Sequence, residues 1–392
     1  MSSKSFFGEL FSGDSAINKL IGARNLFNVQ VIYTQIDRNA ANKPTFTTFS
    51  LNDSAAYFYP ASTVKLPVAL MALQRLGELG KTGINRETTM ITEAAYAGQT
   101  AVYNDPTTPD GRPTIAQYIR KIFLVSDNDA FNRLYEFLGQ TYINQTLSKK
   151  GYDHAQILHR LQIALSEDEN RHTNPVTFYD TAGKIIYKAA TQFNQQPYLQ
   201  RKDFLGNAYY SKGKLIEKPM DFSRKNKLPL KDLHKILMTV VFPDKFKAAE
   251  KFRLNEDDRN FVLEHMSKFP GESKFPAYDT ATYPNAYAKF IFYGGEKGVL
   301  PENIRIFNKV GDAYGQLVDA AYFVDYQNKV EFFVSAAITC NTDGIMNDDR
   351  YDYETIGFPF LKKVGQLLYQ HELKRKKKFL PDLSAVQFNY NK

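Results

Sequence analysis

Ser62 and Lys65 stand three residues apart in Tyr59-Pro60-Ala61-Ser62-Thr63-Val64-Lys65-Leu66-Pro67. On a helix that spacing puts both side chains on one face with Cβ atoms ~5–6 Å apart, so the amine reaches the hydroxyl. A serine hydroxyl is a poor nucleophile until a base takes its proton. A lysine set in an apolar helix resists its charge, its pKa falls, and it can act as that base. The helix N-terminus adds a positive field and free N–H groups for a developing oxyanion. Ser211-Lys212-Gly213-Lys214 repeats the spacing in a polar segment, so the pattern alone is cheap, and the setting favours Ser62. Ser126-Asp127-Asn128 is the second element: Ser126 as a proton shuttle, Asn128 as an amide that holds substrate, Asp127 as a buttress. The same residue types are the preferred helix N-caps, and a helix is predicted from about Asp129, so alone they read more simply as a cap. The third element is Lys309-Val310-Gly311, ahead of a predicted strand. A lysine on a strand edge facing a pocket can bind a carboxylate and polarise the shuttle serine, and Gly311 lets substrate backbone lie close. The plainer reading is a solvated lysine before a turn. Lys81-Thr82-Gly83 marks a helix stop.

Several elements must position these residues. Residues 27–37 alternate apolar and polar, and 44–52 do so more weakly, predicting a strand pair joined by the polar turn Arg38–Lys43. Residues 62–79 are apolar on most sides, the mark of a buried helix. Two more helices are expected within 114–150: one capped by Thr114 after Pro113, the other ending at Gly139. Residues 176–228 read as short hairpins. Helices return at 229–241 and at 255–267, the latter with the acidic first turn Asn255-Glu256-Asp257-Asp258. Gln316–Tyr326 and Lys329–Cys340 are strong strands around a tight Gln327-Asn328 turn, and a helix over about 356–376 ends the pattern. Strands, a helical middle, strands and a final helix predict an α+β fold, an α/β sandwich plus a helical lobe. Its antiparallel sheet comes from both chain ends with the lobe inserted between them.

The chain has 392 residues, 50 Lys+Arg against 42 Asp+Glu, and a formal charge of +8. Its 43% hydrophobic and 23% charged residues exclude disorder over most of the length. No run approaches the ~18 apolar residues that span a bilayer. The first twenty residues carry Glu9 and Asp14 and are not a signal peptide as they stand. The expectation is either a cytoplasmic protein or one whose targeting segment has been removed. The single Cys340 excludes an internal disulfide framework, and the six histidines show no metal-ligand spacing, His154 and His159 being five apart. Neither a metal nor another cofactor is called for. The basic run Lys374–Lys378 reads as a solvated helix end. No zinc-finger, RNP-type or helix-turn-helix pattern accompanies it, so no nucleic-acid partner is expected.

Taken together, S-x-x-K opening a buried helix, S-D-N in a helical lobe and K-x-G on a late strand resemble the signature of serine β-lactamases and penicillin-binding proteins. The sequence looks most like the class A β-lactamase family. Ser126–Gly139 is similar to that family's S-D-N-x-A-x-N-x-L helix, Asn132 included; Arg171–Pro175 resembles the end of its Ω-loop, and Gly315–Tyr326 its central strand. The similarity covers most of about 25–375, interrupted around 178–228. It implies a β-lactamase-like serine hydrolase domain over 25–392, with a helical lobe at about 66–300 and residues 1–24 an extension or first helix.

The resemblance implies that Ser62 is the acylated nucleophile and Lys65 its base. Ser126 would pass a proton to the leaving nitrogen, Asn128 would bind the substrate amide, and Lys309 would set the far wall's electrostatics. Gly311 would let substrate approach, and the N–H groups of Ser62 and Asp312 would form the oxyanion hole. Three departures stand out. Val310 has no hydroxyl to grip a β-lactam carboxylate, Gln316–Asp325 has no cation, and 159–170 lacks the E-x-x-L-N carboxylate that activates the deacylating water. Glu167 and Glu169 are the nearby carboxylates of that kind, and they fit a solvated loop equally well. The expected activity is hydrolysis of a β-lactam or related amide or ester. The alternatives are a D-alanyl peptidase- or esterase-like enzyme on cell-wall material, and a non-catalytic ligand-binding relic. The partner is thus a small-molecule or peptidoglycan-like substrate, met outside the cytoplasm, in the periplasm or extracellularly, after removal of a leader.

Overall fold

The computed structural model of the chain describes residues 2–52, 56–80 and 83–390. Lys81 and Thr82 of the Lys81-Thr82-Gly83 stretch lie outside them. Ser2 and Asp14 cap two short helices, α1 (Ser3–Phe11) and α2 (Ser15–Gly22), and a single turn, α3 (Arg24–Phe27), leads into the sheet. The predicted strand pair is β1 (Gln30–Arg38) and β2 (Pro44–Leu51). A 3-10 turn, Ala61–Val64, then runs directly into the buried helix α4 (Lys65–Leu79), which stops on Gly80.

A short strand, β3 (Thr89–Thr92), precedes α5 (Ile115–Val125), whose cap is Thr114 as expected, and α6 (Asn128–Lys149). α6 was expected to end at Gly139. It instead kinks there, at φ 74° and ψ 155°, and resumes. A Cβ at Gly139 would lie 2.7 Å from Thr173 Cγ2, so both the dihedral and the close approach require glycine. After α7 (Glu167–Arg171), residues 176–228 form short strands, as predicted: β4 (Val176–Tyr179), β5 (Ile185–Ala189), β6 (Phe204–Leu205), β7 (Ala208–Ser211), β8 (Lys214–Ile216) and β9 (Met220–Asp221).

Helices α8 (Leu230–Val241) and α9 (Glu256–Ser267) follow, then β10 (Ile304–Ala313), β11 (Gln316–Asp325), β12 (Val330–Thr339), the two-residue β13 (Ile345–Met346) and α10 (Phe358–Lys374). The main sheet is antiparallel in the order β10-β11-β12-β1-β2, so both chain ends build it and the helical middle is inserted, as the element order predicts. β11, compared above with the family's central strand, is second from the edge; the middle strand is β12.

Two apolar layers sandwich the sheet. Phe6, Phe7 and Phe11 of α1 join Leu361, Val364 and Leu368 of α10 on one face; α4, α5, α6, α8 and α9 cover the other. The basic run at 374–378 is a correction. It is not simply a solvated helix end, because Arg375 and Lys377 fold back onto the buried Glu372 carboxylate, at 2.9 and 3.1 Å, and Arg375 also pairs with Asp37 of β1. A buried carboxylate next to a helix end needs cations more than the solvent does.

Strand β10 carries Lys309 and is the sheet's edge. Its side chains alternate, Ile306 and Val310 into the α10 layer and Phe307 into the opposite one. Lys309 shares the face of Phe307. Val310 is therefore buried beneath the sheet, and the hydroxyl missing there is missing from a side chain that packs away from Lys309.

Candidate active site

Ser62 lies in the 3-10 turn, not in the first turn of α4 proper, and Lys65 is the first residue of that helix. The turn is strained: Ala61, immediately before the serine, is left-handed at φ 45°. A non-glycine residue held there costs of order 1–3 kcal/mol and persists only where its surroundings over-determine it. Ser126, at the C-terminus of α5, is left-handed as well, at φ 59°. Its neighbour Asp127 caps α6 by accepting from Ala130 N–H at 2.8 Å. The cap reading and the site reading of Ser126-Asp127-Asn128 are thus both realised, on different residues: Asp127 does the capping and leaves Ser126 and Asn128 to face Lys65.

Lys65 is fully buried. Its Nζ is 2.8 Å from Ser62 Oγ, 2.7 Å from Asn128 Oδ1 and 3.3 Å from Ser126 Oγ, and it also bonds the Ser126 carbonyl. Burial, and then the nearby Lys309 charge, hold the amine well below the usual lysine range. A neutral amine has two hydrogens and one lone pair. The Ser126 carbonyl and the Asn128 amide oxygen can only accept, so they take the two hydrogens and leave the lone pair toward Ser62 Oγ–H. The Asn128 amide is fixed from its other end, where Nδ2 donates to Gln162 Oε1 at 2.6 Å.

Lys309, 2% exposed, comes from a strand 183 residues further along the chain and donates to Ser126 Oγ at 2.7 Å and to the Val310 carbonyl at 2.9 Å. Burial pulls it down to about 7, against the pull of the Asp312 and Asp319 carboxylates. The solvated-lysine reading is excluded. Beside it, the buried Lys289 donates to Asn308 Oδ1 at 2.7 Å and Asn308 donates to Asp319 at 2.8 Å, a polar network that fixes this stretch of β10.

Gly311 packs the strand onto the serine turn: a Cβ there would lie 2.7 Å from the Pro60 carbonyl oxygen and 2.9 Å from Ser62 N. The hairpin after it turns at Tyr314 and Gly315, both with positive φ, a type I′ pattern closing on Ala313 and Gln316. Alternation along the ladder then points the Asp312 N–H away from β11, toward the turn that holds Ser62. The Asp312 carboxyl opens to the cleft, and the protein around it raises its pKa. All seven residues singled out from sequence, Ser62, Lys65, Ser126, Asn128, Lys309, Gly311 and Asp312, meet at one place.

Ser211, the competing match, ends β7 directly opposite Lys214 across a two-residue turn, exposed and away from any buried helix. Glu169 accepts from Ser166 in a capping box, and Glu167 pairs with Arg171 at 2.8 Å. Both are occupied on α7. Among the described residues, no carboxylate hydrogen-bonds Ser62, Lys65, Ser126, Asn128 or Lys309. Gln162 stands against Asn128 instead, a partner that sequence reasoning missed because nothing local to residue 162 marks it. Asn132 plays a structural part, its side chain clasping Leu161 by accepting from the N–H at 2.8 Å and donating to the carbonyl at 3.0 Å.

Ser62 opens into a cleft of about 940 Å³ walled by 158–165, Asp312–Tyr314 and part of the 178–228 segment. A larger cavity, about 1280 Å³ near Arg38, Phe242 and Arg259, is lined by no serine and lies away from this chemistry. Tyr59 lies between the walls of the Ser62 cleft, stacked on His159 and edge-on to Tyr314. His159 is half-buried in the cleft wall, and its Nε2 accepts from Asn226 N–H while Nδ1 donates to the Arg160 carbonyl. Burial lowers its pKa to about 4, so it is neutral.

Residues 14–202 match the model of the Beta-lactamase enzyme family. No curated protein matches the chain by sequence. Among solved structures, the chain is similar to a β-lactamase from Burkholderia phymatum at 14% identity and a TM-score of 0.50, over 92% of this chain and 99% of that one. It also matches an ancestral class A β-lactamase, GNCA, at 14% identity and a TM-score of 0.48, over 91% of this chain and 99% of that one. At such identity the likeness is one of fold. Just under half of the chain thus matches the Beta-lactamase enzyme family by sequence, and the chain as a whole has a β-lactamase-like fold.

Proposed function

We propose that the protein is a serine hydrolase that forms an acyl-enzyme on Ser62 with a β-lactam or a related amide or ester. One observation carries this reading: a fully buried amine 2.8 Å from a serine hydroxyl, with its hydrogens engaged by two pure acceptors. Lys65 Nζ takes the Ser62 proton as Oγ attacks the carbonyl carbon. The carbonyl oxygen gains the negative charge between the N–H groups of Ser62 and Asp312, each such donor being worth ~10²–10³ in rate. The proton then passes from Lys65 through Ser126 Oγ to the leaving nitrogen or oxygen as its bond to carbon breaks, and the charged Lys309 polarises Ser126. Asn128 turns its amide from Gln162 toward the substrate.

Hydrolysis of the ester requires a second proton abstraction, from water. With Glu167 and Glu169 engaged on α7, Lys65 is the remaining base, so the acyl-enzyme should be long-lived. That feature favours the second reading within the same chemistry, a penicillin-binding-protein-like peptidase or esterase on cell-wall material. Either role belongs outside the cytoplasm, where the family acts, and no helix among the described residues is long and apolar enough to cross a membrane.

Intact-mass analysis after incubation with a fluorophosphonate and with a small penicillin tests the reading. The expected result is a single adduct on Ser62, absent in Ser62→Ala and undiminished in Ser211→Ala. Equal labelling of wild type and Ser62→Ala would remove the mechanism.

A further inference from the structure

Strand β11 supplies no cation to the cleft, but the 178–228 segment does. Lys225, half-buried, and Arg224, exposed, both line the Ser62 cleft on the wall shared with residues 158–165. Neither makes an ion pair or a side-chain hydrogen bond among the described residues; Arg224 only rests over the Tyr198 ring at 5.4 Å. Of the acids in the same cleft, Glu167 is held by Arg171, Asp312 lies on β10 beside Lys65 and Lys309, and Asp349 is exposed on the segment after β13; Asp221, outside the cleft, feels the Arg224 charge without an ion pair to it. The neighbouring ring, His159, is neutral. A half-buried ammonium with no protein counter-charge gains more from an anionic ligand than a fully hydrated one does.

The backbone that presents these two cations is rigidly built. Arg201 donates to the Ser223 carbonyl at 2.8 Å and also to the carbonyl of Lys225. The fully buried Asn226 accepts from Leu158 N–H at 2.7 Å and from His159 N–H at 3.2 Å, and its own carbonyl accepts from Tyr57 Oη–H at 2.9 Å. Lys227 pairs with Gln156 by two backbone bonds. Residues 223–227 are thus riveted to the cleft wall on both sides of the cations, which is preorganisation for a ligand rather than a loose surface charge.

We propose that Lys225 and Arg224 form an anion subsite of the Ser62 cleft, so that the preferred ligand carries a carboxylate placed on the 158–165 wall, away from β10. The extra segment would then deliver selectivity for an acidic substrate. This rests on the acyl-enzyme reading for the word substrate, but binding can be tested without chemistry.

The full-length Ser62→Ala protein is titrated calorimetrically with benzyl hydrogen glutarate, a monoanion, and with its neutral primary carboxamide. The expected result is tighter binding of the acid by about tenfold, as for a charge-assisted hydrogen bond, with the preference shrinking at high salt. Adding Lys225→Met with Arg224→Gln should bring the two ligands to equal affinity while the amide's own affinity stays within about twofold, which also reports that the cleft is intact. Equal binding of acid and amide to the Ser62→Ala protein would overturn the inference, as would a preference that survives the double substitution. If wild-type Ser62 fails to label but the acid preference is present and lost with the double substitution, the acyl-enzyme reading falls and the anion subsite stands.

Discussion

Gly311→Ala perturbs the candidate site by one methyl group at the place where β10 meets the serine turn. Gly311 does not have a positive φ, so alanine brings no backbone strain; what it brings is steric. The new carbon would lie 2.7 Å from the Pro60 carbonyl oxygen, 2.9 Å from Ser62 N and 3.0 Å from Thr63 N, and all three are backbone atoms that no rotamer change can move aside. Ordinary contact begins near 3.4 Å, so β10 and the 61–63 turn must separate by about 0.7 Å. Overpacking of this kind costs ~1–3 kcal/mol of stability. Its effect on chemistry should be larger, because it widens the gap between the Ser62 and Asp312 N–H groups, and misplacement on the scale of 1 Å costs ~10²-fold in rate.

The measurement is the second-order rate of Ser62 acylation by a fluorophosphonate or an activated penicillin, followed by intact mass, beside a urea denaturation curve. The expected result is a folded variant, less stable by that amount, acylating about a hundredfold more slowly. A folded Gly311→Ala that acylates within threefold of wild type would refute the claim that this approach sets the oxyanion geometry.

The remaining tests probe single links. Burial pulls the Lys309 ammonium down to about 7, so the acylation rate should fall as pH rises through that value and the ammonium is lost, a limb that Lys309→Met lacks; a pH-independent rate between 6 and 9 in wild type would contradict it. The same depression has a stability consequence. Between about 7 and the unfolded value near ~10.4 the unfolded chain binds the extra proton, so wild type should gain stability relative to Lys309→Met as pH rises across that window, read from denaturation midpoints. Asn132→Ala leaves the N–H and carbonyl of Leu161 unpaired and should cost roughly 2–4 kcal/mol, with faster amide exchange over 158–165; a loss below ~0.5 kcal/mol would show that the loop is held otherwise. With any penicillin that acylates Ser62, the adduct mass should persist for many minutes, and rapid return to the free mass would reveal a water-activating group beyond Lys65.

Short-range spacing and periodicity were enough for much of this protein. The three-residue step from Ser62 to Lys65 fixes their proximity in any helical turn, the cap chemistry of Asp127 is written in its own neighbours, and the nearly continuous apolar runs of 316–325 and 330–339 announce two buried strands. The order of elements likewise gives the sheet built from both ends. These features depend on dihedrals and side chains within a few residues.

What the chain could not state locally is everything that depends on which surfaces come together. The sequence holds two S-x-x-K matches, and only burial tells them apart: Lys65 is stripped of solvent by α4, α5 and β10, whereas Lys214 sits in an exposed hairpin. Lys309 reaches Ser126 across 183 residues because β10 is the edge strand in register with β11, a long-range pairing with no local signature. The pairing of Arg375 and Lys377 with Glu372, the partnership of Gln162 with Asn128, and the delivery of Lys225 to the cleft by Arg201 and Asn226 are of the same kind. A charge's value is set by the dielectric and the partners around it, and those exist only once the chain has closed on itself.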